Sequence, residues 1–287
     1  MVKKANENEK EALEKYLLQF LNLEKQFPLL PGIGNSESIA GLIGLDVSEL
    51  LSLRENFREN AKKAALELLK DDDVIDWLDQ LPLEANSTIV ALGDSSTDDL
   101  QGWFEIFKFI LDITVPEADF NFINSGISNN TTTDALRRLN RDVLSHEPDW
   151  VIVSLGTFDA QRLKYTPNRT LIPLSESWEN LTIIEDAIGT VTENPPIWLT
   201  PNPVIPELLD KMDLFEFSIQ NRDLANIREI ITGKKGYIVD PVGRRMGNPP
   251  EAWYYLSDGL NPSLSGHVNT VKELLRSLAT AKIQDPD

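Results

Sequence analysis

The chain has 287 residues, of which 41% are hydrophobic, enough for one large globular domain with or without an appended segment. It carries 46 acidic and 27 basic side chains, a formal net charge of −19, which repels phosphate backbones and anionic membranes. We therefore expect no nucleic-acid or membrane partner, and the absence of cysteine excludes disulfides and thiolate metal sites.

The N-terminus offers no targeting signal that we recognise. Met1–Glu7 is positively charged at Lys3 and Lys4, but no apolar segment of signal-peptide length follows it. No apolar run elsewhere approaches the length that spans a bilayer. We therefore expect a cytoplasmic protein.

Residues 1–87 are predicted to form a helical segment packed on the main domain. Apolar residues recur there at spacings of three and four, which is typical of amphipathic helices. Ser38–Leu45 faintly resembles a helix-turn-helix, but 17 acidic residues against 10 basic ones argue against DNA binding. A helical cap or a dimerisation element, and hence a possible homo-oligomer, is the simpler interpretation. The predicted elements are a helix from Leu13 to Phe27, a break over Pro28–Gly34, a helix over Ser36–Ile43, a long helix from Asp46 or Ser48, and a short helix capped at Asp71–Asp73.

Residues 88–287 are predicted to form an α/β domain in which short apolar runs alternate with helical patterns. This alternation indicates a parallel sheet with helices on both faces, and a site beyond the carboxyl ends of the strands. The predicted strands are Thr88–Leu92, Asn121–Asn124, Trp150–Leu155, Ile197–Thr200 and Tyr237–Val239. The predicted helices are Leu100–Leu111, Thr131–Leu144, Glu179–Val191, Phe217–Ile231 and Ser263–Ala281.

Polar motifs follow the predicted strand ends. After the first strand, Gly93–Ser95 forms a tight turn that sets a serine hydroxyl at a helix N-terminus, where backbone N–H groups favour a developing anion. Asn124–Gly126 follows the second strand and Gly156–Asp159 the third. Asp258–Ser263 precedes the last helix.

The order and spacing of these four motifs resemble the GDSL/SGNH hydrolases over residues 88 to about 280. The resemblance implies a three-layer α/β/α flavodoxin-like fold with five parallel strands, and an ester-hydrolysing site that needs no cofactor or metal. It also implies that Ser95 is the nucleophile, and that the N–H groups of Ser95 and Gly126 stabilise the oxyanion together with an asparagine side chain. Asp258 would orient a histidine base.

Two positions depart from the family pattern. Phe158 stands where the oxyanion asparagine belongs, and Asn261 stands where the histidine belongs. An asparagine side chain takes no proton near pH 7, and removing the base of a serine protease costs on the order of a millionfold in kcat. One missing oxyanion donor costs about a hundred- to a thousandfold, and a phenylalanine ring would narrow the pocket.

We therefore expect an SGNH-type hydrolase of a small acyl or acetyl ester with strongly impaired activity. The alternative is a catalytically silent protein of this fold that binds a small ligand or a protein partner.

His267 is the one candidate for a substitute base, since the other histidine, His146, is expected on the surface away from the site. The competing interpretation makes His267 a structural residue near the start of the last helix. Asp258 is expected to be a poor base because of a low pKa. Asp98 and Asp99 are expected to cap the helix after Ser95.

A second group of charged and aromatic residues is expected to be structural. Arg137, Arg138 and Arg141 are expected to pair with surface acids. The helical aromatic residues Trp103, Phe104, Phe107 and Phe109 are expected in the core.

Overall fold

The structure, a computed structural model, describes residues 18–20, 22–212, 215–242 and 250–281. The start of the predicted helix from Leu13 to Phe27 therefore lies outside the described residues. In the part that is described, no helix is both long enough and apolar enough to cross a membrane.

In the described part of the chain helices precede the first strand, and two of them have side-chain caps at their N-termini. The Asn35 side chain accepts a hydrogen bond from the backbone N–H of Ser38, and Gly44 ends the same helix with a φ of 75°. The Asp71 side chain accepts from the N–H of Asp73 at the last helix. The predicted helix over Ser36–Ile43 is confirmed, and the long one begins at Val47 with Asp46 before it. The helices are α1 (Leu23–Gln26), α2 (Ser36–Ile43), α3 (Val47–Leu68) and α4 (Asp72–Leu78).

The main sheet has five parallel strands, as predicted. Their order across the sheet is β2 (Asn121–Gly126), β1 (Thr88–Gly93), β3 (Trp150–Ser154), β5 (Ile197–Leu199) and β7 (Tyr237–Val239). Its central strands are apolar throughout because both faces are covered. The strands of the described chain are β1 (Thr88–Gly93), β2 (Asn121–Gly126), β3 (Trp150–Ser154), β4 (Gln161–Leu163), β5 (Ile197–Leu199), β6 (Phe217–Ile219) and β7 (Tyr237–Val239).

One predicted helix was wrong at its start. Residues 217–219, placed in a helix by the sequence, form β6, which pairs antiparallel with β4 in a small second sheet. The rings of Phe215 and Phe217 stack with centroids 5.1 Å apart. The helix begins only at Asn221.

Helices cover both faces of the main sheet, which confirms the three-layer α/β/α arrangement. One buried cluster joins the sheet to α3, α6 and α11, and it contains Trp103, Phe104, Phe107 and Phe109 as expected. A second cluster joins the opposite face to α7, α8 and α10. These helices are α5 (Ser95–Asp98), α6 (Trp103–Thr114), α7 (Thr132–Asp142), α8 (Leu174–Ile188), α9 (Pro206–Leu209), α10 (Asn221–Thr232) and α11 (Leu264–Thr280).

Strand register decides which loops meet. Gly93, at the end of β1, pairs with Gly126 of β2 on one side and with Ser154 of β3 on the other. The segments that follow these three strands therefore start side by side at one edge of the sheet.

Helix α6 offers a direct test of the shared core. Ile110 is fully buried in the cluster with α3 and α11, whereas Ile113 on the same helix is 38% exposed. We expect Ile110→Ala to lower the free energy of unfolding by about 2–5 kcal/mol, because it leaves a cavity. Ile113→Ala, the matched control, should cost less than about 1 kcal/mol. Equal losses in urea titrations of the two variants would contradict this packing.

Candidate active site

The Ser95 turn is built by close packing of α5 on the strand ends. Asp94 is the N-cap of α5, and its carboxylate accepts from the backbone N–H of Ser96 at 3.1 Å. A Cβ atom at Gly93 would lie 2.1 Å from Thr97 Oγ1, and one at Gly126 would lie 2.5 Å from the backbone nitrogen of Asp98. Both glycines are therefore required for α5 to sit against β1 and β2.

Ser95 is the first residue of α5 and is 4% exposed. Its Oγ accepts a hydrogen bond from the backbone N–H of Asn129 at 3.0 Å. The Gly126 N–H instead donates to Asn124 Oδ1, at 3.0 Å. The structure thus places the backbone N–H of Asn129, and not that of Gly126, against Ser95 Oγ.

The sequence carried a signal for this loop. Asn129 has a φ of 61°, in the left-handed region that asparagine tolerates better than most residues. The Asn129–Asn130 pair just beyond β2 is consistent with such a turn.

Asp258 and Asn261 form a buried pair. The Asn261 side-chain amide donates to Asp258 Oδ2 at 2.8 Å, and the backbone N–H groups of Leu260 and Asn261 donate to Oδ1. Burial raises the pKa of Asp258, which corrects the low value expected from sequence. The amide of Asn261 therefore makes the contact with Asp258 that the resemblance assigns to a histidine.

Phe158 is 2% exposed and belongs to the core cluster under α7, α8 and α10. The next residue, Asp159, ties the end of β3 to two helices: it accepts from the N–H and hydroxyl of Thr132 and from the hydroxyl of Ser177. Burial raises the pKa of Asp159. The loop after β3 is therefore anchored, with the apolar ring of Phe158 in the core.

His267 is buried and bound elsewhere. Its Nε2 lies 2.9 Å from Asp99 Oδ2, and its Nδ1 has no hydrogen-bond partner among the described residues. It lines a cavity of about 30 Å³ together with Asp94, Ser96, Phe158 and Asn261. Ser95 is not among the described residues that line this cavity. The geometry fits the structural interpretation of His267, and the structure does not place it as a base against Ser95.

Asp98 and Asp99 do more than the helix capping that the sequence analysis expected of them. Both are buried. Asp98 Oδ2 accepts from the backbone N–H and the hydroxyl of Ser128, and Asp99 contacts Gln19 and His267. In the described ranges no cluster of histidine and carboxylate side chains suits a metal ion.

The sequence analysis also missed the contacts that Arg138 makes with the backbone of the strand ends. Arg138 is buried, and its guanidinium donates to the carbonyl oxygens of Gly93 and Ser125 and to Asn130 Oδ1. It also pairs with Asp142. The expected pairing with an acid is present, but the main role of Arg138 is to join the strand ends beneath the Ser95 turn.

These features define a class: a parallel three-layer α/β protein with a serine at the edge of the sheet, set at a helix N-terminus and contacted by a backbone N–H. The profile of the GDSL-like lipase/acylhydrolase family matches residues 91–268. The chain belongs to that family.

Solved structures agree with this fold. An α/β hydrolase from the metagenome of Lake Arreo aligns with a TM-score of 0.55 and 21% identity, over 68% of this chain and 96% of its own. A lipase/acylhydrolase from Enterococcus faecalis gives 0.54 and 21%, over 70% and 100%. An acetylxylan esterase from Geobacillus stearothermophilus gives 0.52 and 20%, over 71% and 99%.

Two curated relatives align over shorter stretches. An uncharacterised lipoprotein of Bacillus subtilis (strain 168) is 31% identical over 141 residues, 45% of this chain and 54% of the relative. An acetylxylan esterase of Geobacillus stearothermophilus is 38% identical over 53 residues, 18% of this chain and 24% of the relative. The chain thus spans about half the length of the first and about a quarter of the second.

Asp94 allows a pH-dependent test of the turn. Burial raises its pKa to about 7, against opposing hydrogen bonds from Ser96. The folded chain therefore keeps this proton up to about pH 7, whereas the unfolded chain releases it near pH 4. The contribution of this group to the free energy of unfolding must then fall as the pH rises from about 4 to 7.

We expect Asp94→Asn to remove this fall, because its amide carries no proton to release. The unfolding free energy of the variant minus that of the parent should rise by up to about 1.4 kcal/mol per pH unit between pH 4 and 7, and level off above. Denaturant titrations at several pH values measure this difference in unfolding free energy. Asp112→Asn, at an exposed position, is the control. A difference independent of pH would show that Asp94 is ionised in the folded chain.

Proposed function

We propose that this protein is an SGNH-type ester hydrolase, with Ser95 as the nucleophile for a small acyl or acetyl ester, and that its activity is strongly impaired. The observation that carries the proposal is the contact of Ser95 Oγ with the Asn129 N–H, next to a site whose base position holds Asn261. Family membership supports the ester-hydrolysing chemistry.

In the proposed reaction, Ser95 Oγ attacks the ester carbonyl carbon, and the carbonyl oxygen becomes an oxyanion. We assign the stabilisation of that oxygen to the Asn129 N–H, which lies against Ser95 Oγ, and to the N–H of Ser95 at the start of α5. Collapse expels the alcohol and leaves an acyl group on Ser95, which water then hydrolyses. Because Asn129 supplies the N–H, we assign it the oxyanion role first expected of Gly126.

The proposed impairment follows from proton transfer. The Ser95 proton must leave as the new bond forms, and the Asn261 amide accepts no proton near pH 7. Phe158 brings no donor to the third oxyanion position, and its ring is part of the core. Both defects act on the formation of the acyl-enzyme and again on its hydrolysis, because the attacking water must also lose a proton and a second oxyanion forms.

Two arguments support an acetyl ester within the proposed substrate class. An acetyl group is the smallest common acyl group and suits a site with a buried serine and a buried aromatic ring. In addition, the structural and curated relatives include an acetylxylan esterase. The net charge of −19 favours a neutral substrate over a polyanion.

The test restores the two missing groups. Phe158→Asn combined with Asn261→His should raise the turnover of p-nitrophenyl acetate by at least about a hundredfold over the parent, since both a base and a donor return. Adding Ser95→Ala should abolish that gain. Ser145→Ala, an exposed serine remote from the turn, is the matched control and should keep it.

Two results would overturn parts of this proposal. Ordinary enzyme rates in the parent that depend on Ser95 would refute the impairment. A double variant that folds but gains no Ser95-dependent turnover would refute the hydrolase assignment itself.

The second candidate is a catalytically silent protein that binds an ester without cleaving it. The observation that favours it is the neutral Asn261 amide, which keeps Asp258 paired without providing a base. Calorimetry with acetylated xylotriose would then detect binding by the parent and by Ser95→Ala alike, with no acetate released over hours. Acetate release by the parent that is lost in Ser95→Ala would exclude this candidate.

A further inference from the structure

The N-terminal segment reaches the Ser95 turn. Four described residues there, Gln19, Phe20, Asn22 and Lys25, contact α5 or the loop after β2, and we call them the N-terminal anchor. They lie outside residues 91–268, the part of the chain that matches the family. The N-terminal segment of this chain therefore contacts the Ser95 turn from outside the part that matches the family.

The strongest contacts of the anchor are with Asp98. Lys25 Nζ lies 3.0 Å from Asp98 Oδ1, and Asn22 Nδ2 donates to the same oxygen and to the Asp98 carbonyl. Asp98 is 1% exposed, and a buried carboxylate requires a cation and hydrogen bonds to be tolerated. Lys25 supplies that charge and also donates to the Gly126 carbonyl at 3.2 Å.

The second carboxylate oxygen of Asp98 contacts Ser128 in the loop after β2. Oδ2 accepts from the Ser128 N–H at 2.9 Å, and the Ser128 hydroxyl lies 2.8 Å from it. The same hydroxyl lies 2.7 Å from the Phe20 carbonyl oxygen. The residue after Ser128 is Asn129, whose N–H meets Ser95 Oγ. Asp98 therefore fixes the peptide next to the one that contacts the serine.

Gln19 contacts Asp99, the residue that follows α5. Its side-chain amide donates to Asp99 Oδ2 at 2.7 Å, and its carbonyl accepts from the Leu100 N–H at 3.1 Å. Asp99 in turn contacts His267 of α11. The N-terminal anchor thus contacts the carboxylates of both Asp98 and Asp99, at the C-terminal end of α5.

We propose that Lys25 and Asn22 are positioning residues of the Ser95 site. Through Asp98 and Ser128 they hold the Asn129 N–H against Ser95 Oγ. The catalytic consequence of this positioning rests on the function proposed above, whereas the positioning itself is independent of any reaction.

The first experiment needs no activity. Hydrogen exchange measured by NMR should be faster at the amides of Ser128 and Asn129 in Lys25→Met, by about tenfold or more, because Asp98 loses its cation. The buried amide of Val151 in β3 reports global opening and should change much less. Lys25→Arg should restore protection, and Asn22→Ala provides a second, independent loss.

Lys272→Met is the matched control. Lys272 is also partly buried, at 20% against 25% for Lys25, and it pairs with Asp71 between α11 and α4. It should leave exchange at Ser128 and Asn129 unchanged. If Lys25→Met and Asn22→Ala alter these two amides no more than Lys272→Met does, the positioning inference is wrong.

The second experiment measures the catalytic consequence. In the Phe158→Asn, Asn261→His background, adding Lys25→Met should lower kcat about tenfold to a hundredfold, with KM changed less than about twofold, because a displaced oxyanion donor weakens the transition state. Lys25→Arg should recover most of the loss. An inactive background would refute the hydrolase assignment and leave the exchange result standing. If the double variant is active and Lys25→Met leaves its kcat unchanged, the N-terminal anchor has a structural role only.

Discussion

The guanidinium of Arg138 is the contact on which the architecture of the site depends. It donates to the carbonyl oxygens of Gly93 and Ser125, one at the end of β1 and the other near the end of β2. Burying a cation without hydrogen-bond acceptors costs several kcal/mol of folding free energy. Loss of either carbonyl contact would therefore destabilise the buried Arg138 side chain. Burial lowers the pKa of Arg138, and the neighbouring Asp142 opposes that shift. Arg138 therefore links the end of β1, which leads into the Ser95 turn, to the end of β2, which leads into the loop that carries Asn129.

Most of the fold could be predicted because its signals are local. The strand β7 has the bounds that the sequence indicates, and β1 and β3 differ from their predictions by one residue at one end. Each is an apolar run between turn residues, a pattern that few other structures allow. The three-residue strand β6 was missed because so short a run carries no periodicity of its own. Its pairing with β4, more than 50 residues earlier, decides its conformation.

In the candidate site, too, the sequence located the residues with local signals and missed those that depend on distant contacts. Ser95, Phe158, Asp258 and Asn261 could be located because each sits in a short motif at a strand or helix end. Asp98 could not, because an aspartate after a serine at a helix start is ordinarily a solvated cap. Only the folded chain brings Lys25 to it from 73 residues away and turns it into a buried ion pair. The contact between Asn129 and Ser95 was missed for a related reason, since backbone N–H direction depends on the φ of one loop residue.

The structure accommodates Phe158 and Asn261, the two residues expected to depart from the family pattern, and this separates stability from chemistry at the site. A buried Asp258 requires donors, and the Asn261 amide provides one in addition to two backbone N–H groups. The carboxylate is therefore satisfied without a histidine, and no unpaired group is left to destabilise the loop. Phe158 replaces a polar donor with an apolar ring, whose burial contributes about 1.5–3 kcal/mol. Packing and hydrogen bonding thus hold the Ser95 turn, the Asn129 loop and the Asp258–Asn261 pair in place without any contribution from a catalytic base.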